Sequence, residues 1–253
     1  MIVKSKHDAP RQPFTTENGH TSWVTSYFGT EPAMDRSLPR PQHDVLYPQA
    51  FIVEQEPNYT LDPHFHVANQ FQLFIAGEGW MGKARLGAFT VHYAHAYTPY
   101  GPIVAGDEGL HYMTLRNGWD GGPRYMARRR DELRASGRPR RHLDPTPIKL
   151  GAAQPVCAIF PVADDGLGGW VYRVPAERAT SGPDPRSGGG QCWVVTDGTL
   201  VLDGAELPRL SCLFVGPDDE PLAMAGGRDG AEMIVLQFPK WVAPPRRTSA
   251  ANS

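Results

Sequence analysis

Cysteine is scarce in this chain of 253 residues. Cys157, Cys192 and Cys212 are an odd number without metal-type spacing. That argues against a disulfide framework and for a reducing compartment, so the expected location is cytoplasmic. Long apolar runs are missing too. No window of about 18 apolar residues occurs, and the start, MIVKSKHDAPRQPF, lacks the apolar core of a leader, so no membrane association is expected. Charge of one sign is not in excess: the formal net charge is −2 and the sequence pI near 6.5, which leaves no global field to recruit nucleic acid. The G-x-S-x-G, H-E-x-x-H and C-x-x-C patterns are absent, and no dinucleotide fingerprint follows a strand.

What is plentiful is glycine and proline, 27 and 25 residues. At that density long helices are interrupted and short strands joined by turns are favoured. Apolar runs such as YPQAFIVEQ, QFQLFIAG and GLHYMTLR alternate with turn signals from residue 46 onward. Residues 1–45 read as an N-terminal arm with one or two strands, and 46–123 as a first β unit. Residues 124–150 are an arginine-rich linker whose first half suits a short helix, 151–240 a second β unit, and 241–253 a disordered tail. Two acidic residues inside the basic run favour a solvated linker helix over a nucleic-acid arm.

The chain repeats itself. Gln70-FQLFIA-Gly77 aligns with Gln191-CWVVTD-Gly198 at an offset of 121, and the same offset aligns Gly106-DEGLHYMTLR with Gly227-RDGAEMIVLQ. Two blocks in one register, with a length change tolerated between them, indicate two homologous β-barrels in tandem.

The first copy resembles the cupin superfamily, whose first motif runs G-x5-H-x-H-x3/4-E-x6-G. Asn58 takes the first glycine, His64 and His66 are the histidine pair, Gln70 takes the acid and Gly77 closes the motif. In the second family motif Pro99 and Gly101 fit, while Val104 takes the place of the last histidine. The second copy has Pro185, Ser187 and Leu222 at the histidine positions and Gln191 at the acid. The resemblance implies an all-β chain: two tandem double-stranded β-helix (jelly-roll, cupin) barrels joined by a short helical, basic linker. It also leaves pairing into a homodimer open.

Strand alternation puts His64, His66, Gln70, Gln72 and Phe74 on one face if the turn at Val67 to Asn69 keeps register. Neutral imidazoles two apart suit Fe, Mn, Ni, Cu or Zn. The expected metal ligands are therefore His64, His66 and Gln70, with His111 as a further nitrogen. Gln72 and Phe74 are candidates for holding substrate, and Tyr97 and Tyr100 for acid or orienting roles. The reading is a small-molecule enzyme, a metal-assisted oxygenase or a lyase or isomerase, working in the first barrel. Two alternatives remain open: a metal-free pocket using histidine and tyrosine acid–base chemistry, and a binding or scaffolding bicupin without catalysis.

Overall fold

The computed structural model describes residues 1–15, 19, 21–35, 37–42 and 45–240. The tail at 241–253, expected to be disordered, lies outside the described residues. Two antiparallel sheets dominate. Among the described residues the first has nine strands and runs in the order His142–Pro147, Thr90–Ala94, Gln70–Met81, Ile103–Gly118, Leu46–Gln55, Thr21–Phe28, Arg11–Thr15, with Thr60–Leu61 paired to Ile103–Gly118 and Ala84–Leu86 paired to Gln70–Met81. The second has eight, in the order Ile2–Lys4, Cys212–Val215, Gln191–Leu202, Ala223–Gln237, Gly168–Val174, Val156–Phe160, with Ala179–Ser181 and Ala205–Pro208 alongside.

The described part of the first 45 residues contributes strands to both sheets. Ile2–Lys4 pairs with Cys212–Val215 of the second sheet, whereas Thr21–Phe28 pairs with Leu46–Gln55 of the first. Residues 124–150 also do more than connect. Met126–Ala135 is helical, and His142–Pro147 joins the first sheet beside Thr90–Ala94.

The internal repeat is visible in the ladders. Gln70 pairs with Arg116 across the first sheet, and Gln191 pairs with Gln237 across the second. Gly77 and Gly198 both adopt left-handed φ, 73° and 65°, where a side chain is disfavoured. A Cβ on either would lie 2.2 Å from a carbonyl oxygen, that of Gly109 or that of Gly230. These glycines are fixed by backbone approach at the same point of both copies.

Both faces of the central strands are buried. Phe71, Leu73 and Ile75 turn outward from the first barrel and pack against Cys192, Val194, Ile234, Leu236 and Phe238 of the second. The rings of Phe71 and Phe238 meet at a tilt, with centroids 5.0 Å apart. This shared apolar layer joins the barrels and explains why the strands read as nearly continuous hydrophobic runs. The inner faces differ. The second barrel is filled by Trp193, Val195, Leu213, Val235 and their neighbours. At the ladder positions of Trp193 and Leu213 the first barrel has Gln72 and His92, so its interior stays polar.

Candidate active site

The strand Gln70–Met81 alternates as expected, and the turn before it preserves the register, so His64, His66, Gln70 and Gln72 line one cavity of about 110 Å³. Apolar Phe14, Val24, Phe51 and Leu61 line it together with these polar groups. The short strand His64–Phe65 is held by Arg124–Tyr125 and by reciprocal backbone bonds between His64 and Tyr100. The two imidazoles stand edge to face, centroids 5.1 Å apart.

Each imidazole is anchored through Nδ1. His64 Nδ1–H donates to the Asp62 carbonyl oxygen at 2.7 Å, and His66 Nδ1–H donates to Asp120 Oδ1 at 2.9 Å. Those acceptors fix the tautomers and leave both Nε2 atoms with their lone pairs. Burial, reinforced by the neighbouring His66, lowers the His64 pKa to about 3. His66 is also lowered, by burial first, against the opposing pull of Asp120. Both rings are therefore neutral bases at neutral pH.

Asp120 is wholly buried and over-determined. Its oxygens accept from Val67 N–H at 2.7 Å, Gly122 N–H at 2.7 Å and Arg124 Nη1 at 3.3 Å, besides His66. His66, Arg116 and Arg124 hold its carboxyl well below the usual carboxylate range against the cost of burial. Arg116 lies beside it, with Nη1 3.5 Å from Oδ1. Arg116 Nη2 is 3.1 Å from His66 Nδ1. Because the carboxylate can only accept, it takes the imidazole proton, and the guanidinium acts there as a neighbouring charge. Gln49 completes the cluster, accepting from Arg116 Nη1 and from the Asp120 backbone N–H.

Gln70 is hydrogen-bonded at both ends of its amide. Its Oε1 accepts from Arg116 Nε at 2.7 Å and its Nε2 donates to the Tyr100 hydroxyl at 2.6 Å. Tyr100 stands behind the imidazoles, its ring centroid 4.6 Å from that of His64 and 4.8 Å from that of His92. Burial pushes its phenol far above the ordinary tyrosine range, so it orients Gln70 and is poorly suited to give up a proton.

The other expected residues lie elsewhere. Tyr97 is outside the cavity, its ring stacked on Phe65 at 5.8 Å and faced by the Arg138 guanidinium. Phe74 is buried below the site with Met81, Leu86 and Ile103, where it closes the barrel. His111 pairs with Glu54 and alternates with Tyr112, the residue that faces the cavity, so its imidazole points away from His64 and His66. Which face of its strand points inward is not readable from alternation alone; the ladder to Leu46–Gln55, unbroken from Leu110 to Arg116, fixes it.

Arg116, Asp120, Gln49 and His92 are the residues the sequence reading missed. One signal existed for Arg116: a cation ending the apolar strand MTLR, opposite a glutamine in the repeat. Nothing in NGWDGG marks Asp120 as buried, because only the folded turn brings it to His66.

A divalent metal, which the cupin resemblance implies, does not fit these residues. The available donors are two neutral imidazoles. The amide oxygen of Gln70 is already taken by Arg116, no carboxylate faces the same point, and a guanidinium stands where a second cation would be repelled. Among the described residues no group of three or more His, Cys, Asp or Glu side chains gathers to hold a metal. Gln70 and His111 are thus not metal ligands in this arrangement.

The tandem barrels have counterparts among solved structures. The chain matches a putative dioxygenase from Nostoc punctiforme with a TM-score of 0.61 at 12% identity, over 96% of this chain and 84% of that one. It also matches the oxalate decarboxylase–formate complex from Lactobacillus farciminis, with a TM-score of 0.56 at 12% identity, covering 95% and 87%. The chain has the bicupin fold. A bacterial pirin from Escherichia coli, in complex with nickel(II), aligns with this bicupin at a TM-score of 0.53 and 13% identity, covering 95% and 100%. No protein-family model and no curated protein sequence matches this bicupin. At these identities the likeness is one of fold, and the chemistry rests on the residues of the first barrel. No described helix is long and apolar enough to cross a membrane.

Proposed function

We propose that the first barrel is a metal-independent acid–base site acting on a small organic molecule, an isomerase or lyase working through an enolate-like intermediate. The observation that carries this reading is the buried His66–Asp120 pair, 2.9 Å apart, on the wall of the cavity. A carboxylate on Nδ1 holds the imidazole in the tautomer whose Nε2 is basic, and it stabilises the imidazolium once a proton arrives. In the proposed step a proton leaves the carbon next to a substrate carbonyl for His66 Nε2, and the C–H electron pair moves into the enolate. His64 Nε2, neutral and lone-paired, accepts a substrate hydroxyl, and the Gln72 side chain offers a neutral hydrogen-bonding partner. The apolar residues around them exclude water and raise the strength of each interaction.

The Nδ1 anchoring alone would equally suit metal-bound histidines. The hydrogen bonds of Gln70 to Arg116 and Tyr100 favour the metal-free reading.

The test is proton exchange. Protein dialysed against a chelator is incubated in D2O with a panel of enolisable 2-oxo acids and hydroxyketones, and loss of the α-proton is followed by NMR. Exchange retained after chelation and lost in His66→Ala supports the reading. Exchange that requires added metal, or that survives His66→Ala unchanged, overturns it.

A further inference from the structure

Outside the inner cavity lies a second hollow of about 800 Å³. The two share walls, since Phe14, Ala33, Met34, Gly121, Gly122 and Pro123 border both. The outer hollow is therefore the approach to the site. Among the described residues its lining is one-sided in charge, with Arg40, Arg124, Arg128 and Arg129 against the single carboxylate of Glu132. That carboxylate is already engaged, by Arg124 Nε at 2.9 Å and by Arg129 Nη1 at 3.8 Å. Arg124 spends its other end on Asp120. Arg40 and Arg128 have no carboxylate within 4.0 Å among the described residues. Three of the four come from the basic run at 124–141, which has the look of a solvated linker in sequence. The fold sets its start against the barrel mouth, because Arg124–Tyr125 pairs with His64–Phe65 and Met126 N–H donates to the Pro63 carbonyl.

We infer that this hollow is an anion subsite, which holds a distal carboxylate or phosphate of the substrate while the substrate's apolar body enters the inner cavity. Arginine forks match both oxyanions and sit where the hollow opens to solvent, so an incoming anion is drawn toward the cavity. The polarity of the inner site agrees: it offers neutral imidazoles and apolar walls to the reacting end and leaves the excess positive charge outside. A small molecule is favoured over a polyanion because the hollow leads inward and the chain as a whole carries a net charge of −2. The inference rests on reading the first barrel as an active site.

Calorimetry with three probes tests it: 3-phenylpropionate, 3-phenylpropyl phosphate and the neutral 3-phenylpropanol, each against wild type and the Arg128→Glu/Arg129→Glu variant. Wild type is expected to bind at least one anion about ten-fold more tightly than the alcohol, corresponding to about 1.4 kcal/mol. The favoured anion distinguishes carboxylate from phosphate. The double variant is expected to lose that preference and keep its affinity for the alcohol. Equal binding of all three probes, binding of none, or a preference that survives charge reversal overturns the subsite. So does a duplex oligonucleotide or a phosphatidylserine vesicle bound through the same arginines when the small anions are not. His66→Ala is expected to keep the anion preference. A preference without proton exchange removes the acid–base reading alone, and exchange without a preference removes the subsite alone.

Discussion

Arg116 donates from Nε to Gln70 Oε1 at 2.7 Å, and 121 residues later Gln191 Nε2 donates to Gln237 Oε1 at 2.8 Å. The two contacts occupy the same rung of the same ladder in the two barrels. Only the first brings a permanent cation into the interior. That charge requires a buried counter-charge, which Asp120 supplies, and Asp120 in turn orients His66. The second barrel needs no such pair, and Trp193 fills the space, its Nε1–H satisfied by Gln191.

Arg116→Gln reproduces the second barrel's residue in the first. It leaves Asp120 with less compensation, and breaking a buried pair costs about 3–5 kcal/mol of stability. Arg116 also depresses the His66 pKa, so its removal should raise that pKa. Urea unfolding reads the first effect and NMR titration the second. An unshifted His66 would mean that Arg116 does not act on it.

Metal content follows from the donor set. Untagged protein purified without chelator should hold divalent metal well below one equivalent, because two imidazoles without a carboxylate bind weakly. Elemental analysis reads this directly. One tightly held equivalent that is lost from His64→Ala/His66→Ala would reverse the assignment.

Asp120→Asn separates an oriented base from a bare histidine. Loss of the carboxylate removes both the tautomer control and the stabilisation of the imidazolium. Exchange by the variant should fall about 10²–10⁴-fold. An unchanged rate with intact folding would show that His66 works without its partner.

Stability should decline on acidification within a defined window. His64 and His92 titrate near 3 in the folded chain, both because of burial, and near 6.5 when unfolded. Between those values the unfolded state binds more protons, so stability is full above pH 6.5 and falls as pH drops toward 3. The slope is about 1.4 kcal/mol per pH unit for each group. Asp120, held low, adds to the loss only below its unfolded pKa of 3.8. Urea midpoints at pH 7, 6, 5 and 4 measure this. His92→Leu, which installs the residue found at the equivalent position of the second barrel, should flatten the curve between pH 6.5 and 4.

The sequence by itself determined the tandem β-barrels and the wall of the pocket. Both are local: the 121-residue repeat, the glycines at 77 and 198, and the period-two alternation through Gln70, Gln72 and Phe74 depend on neighbours along one strand. What only the tertiary structure decided is what those side chains are free to do. Gln70 is a candidate ligand in sequence, but Arg116, on the neighbouring strand, has claimed its oxygen. Alternation along the sequence leaves the direction of His111 open, and the ladder puts Tyr112, Thr114 and Arg116 on the cavity side, which turns His111 away. Asp120 sits in an ordinary turn until folding places its carboxylate 2.9 Å from an imidazole 54 residues earlier. Hydrogen bonds between strands, and the burial that makes them strong, have no period along the chain, so the chemistry of this pocket emerged only when the strands were laid side by side.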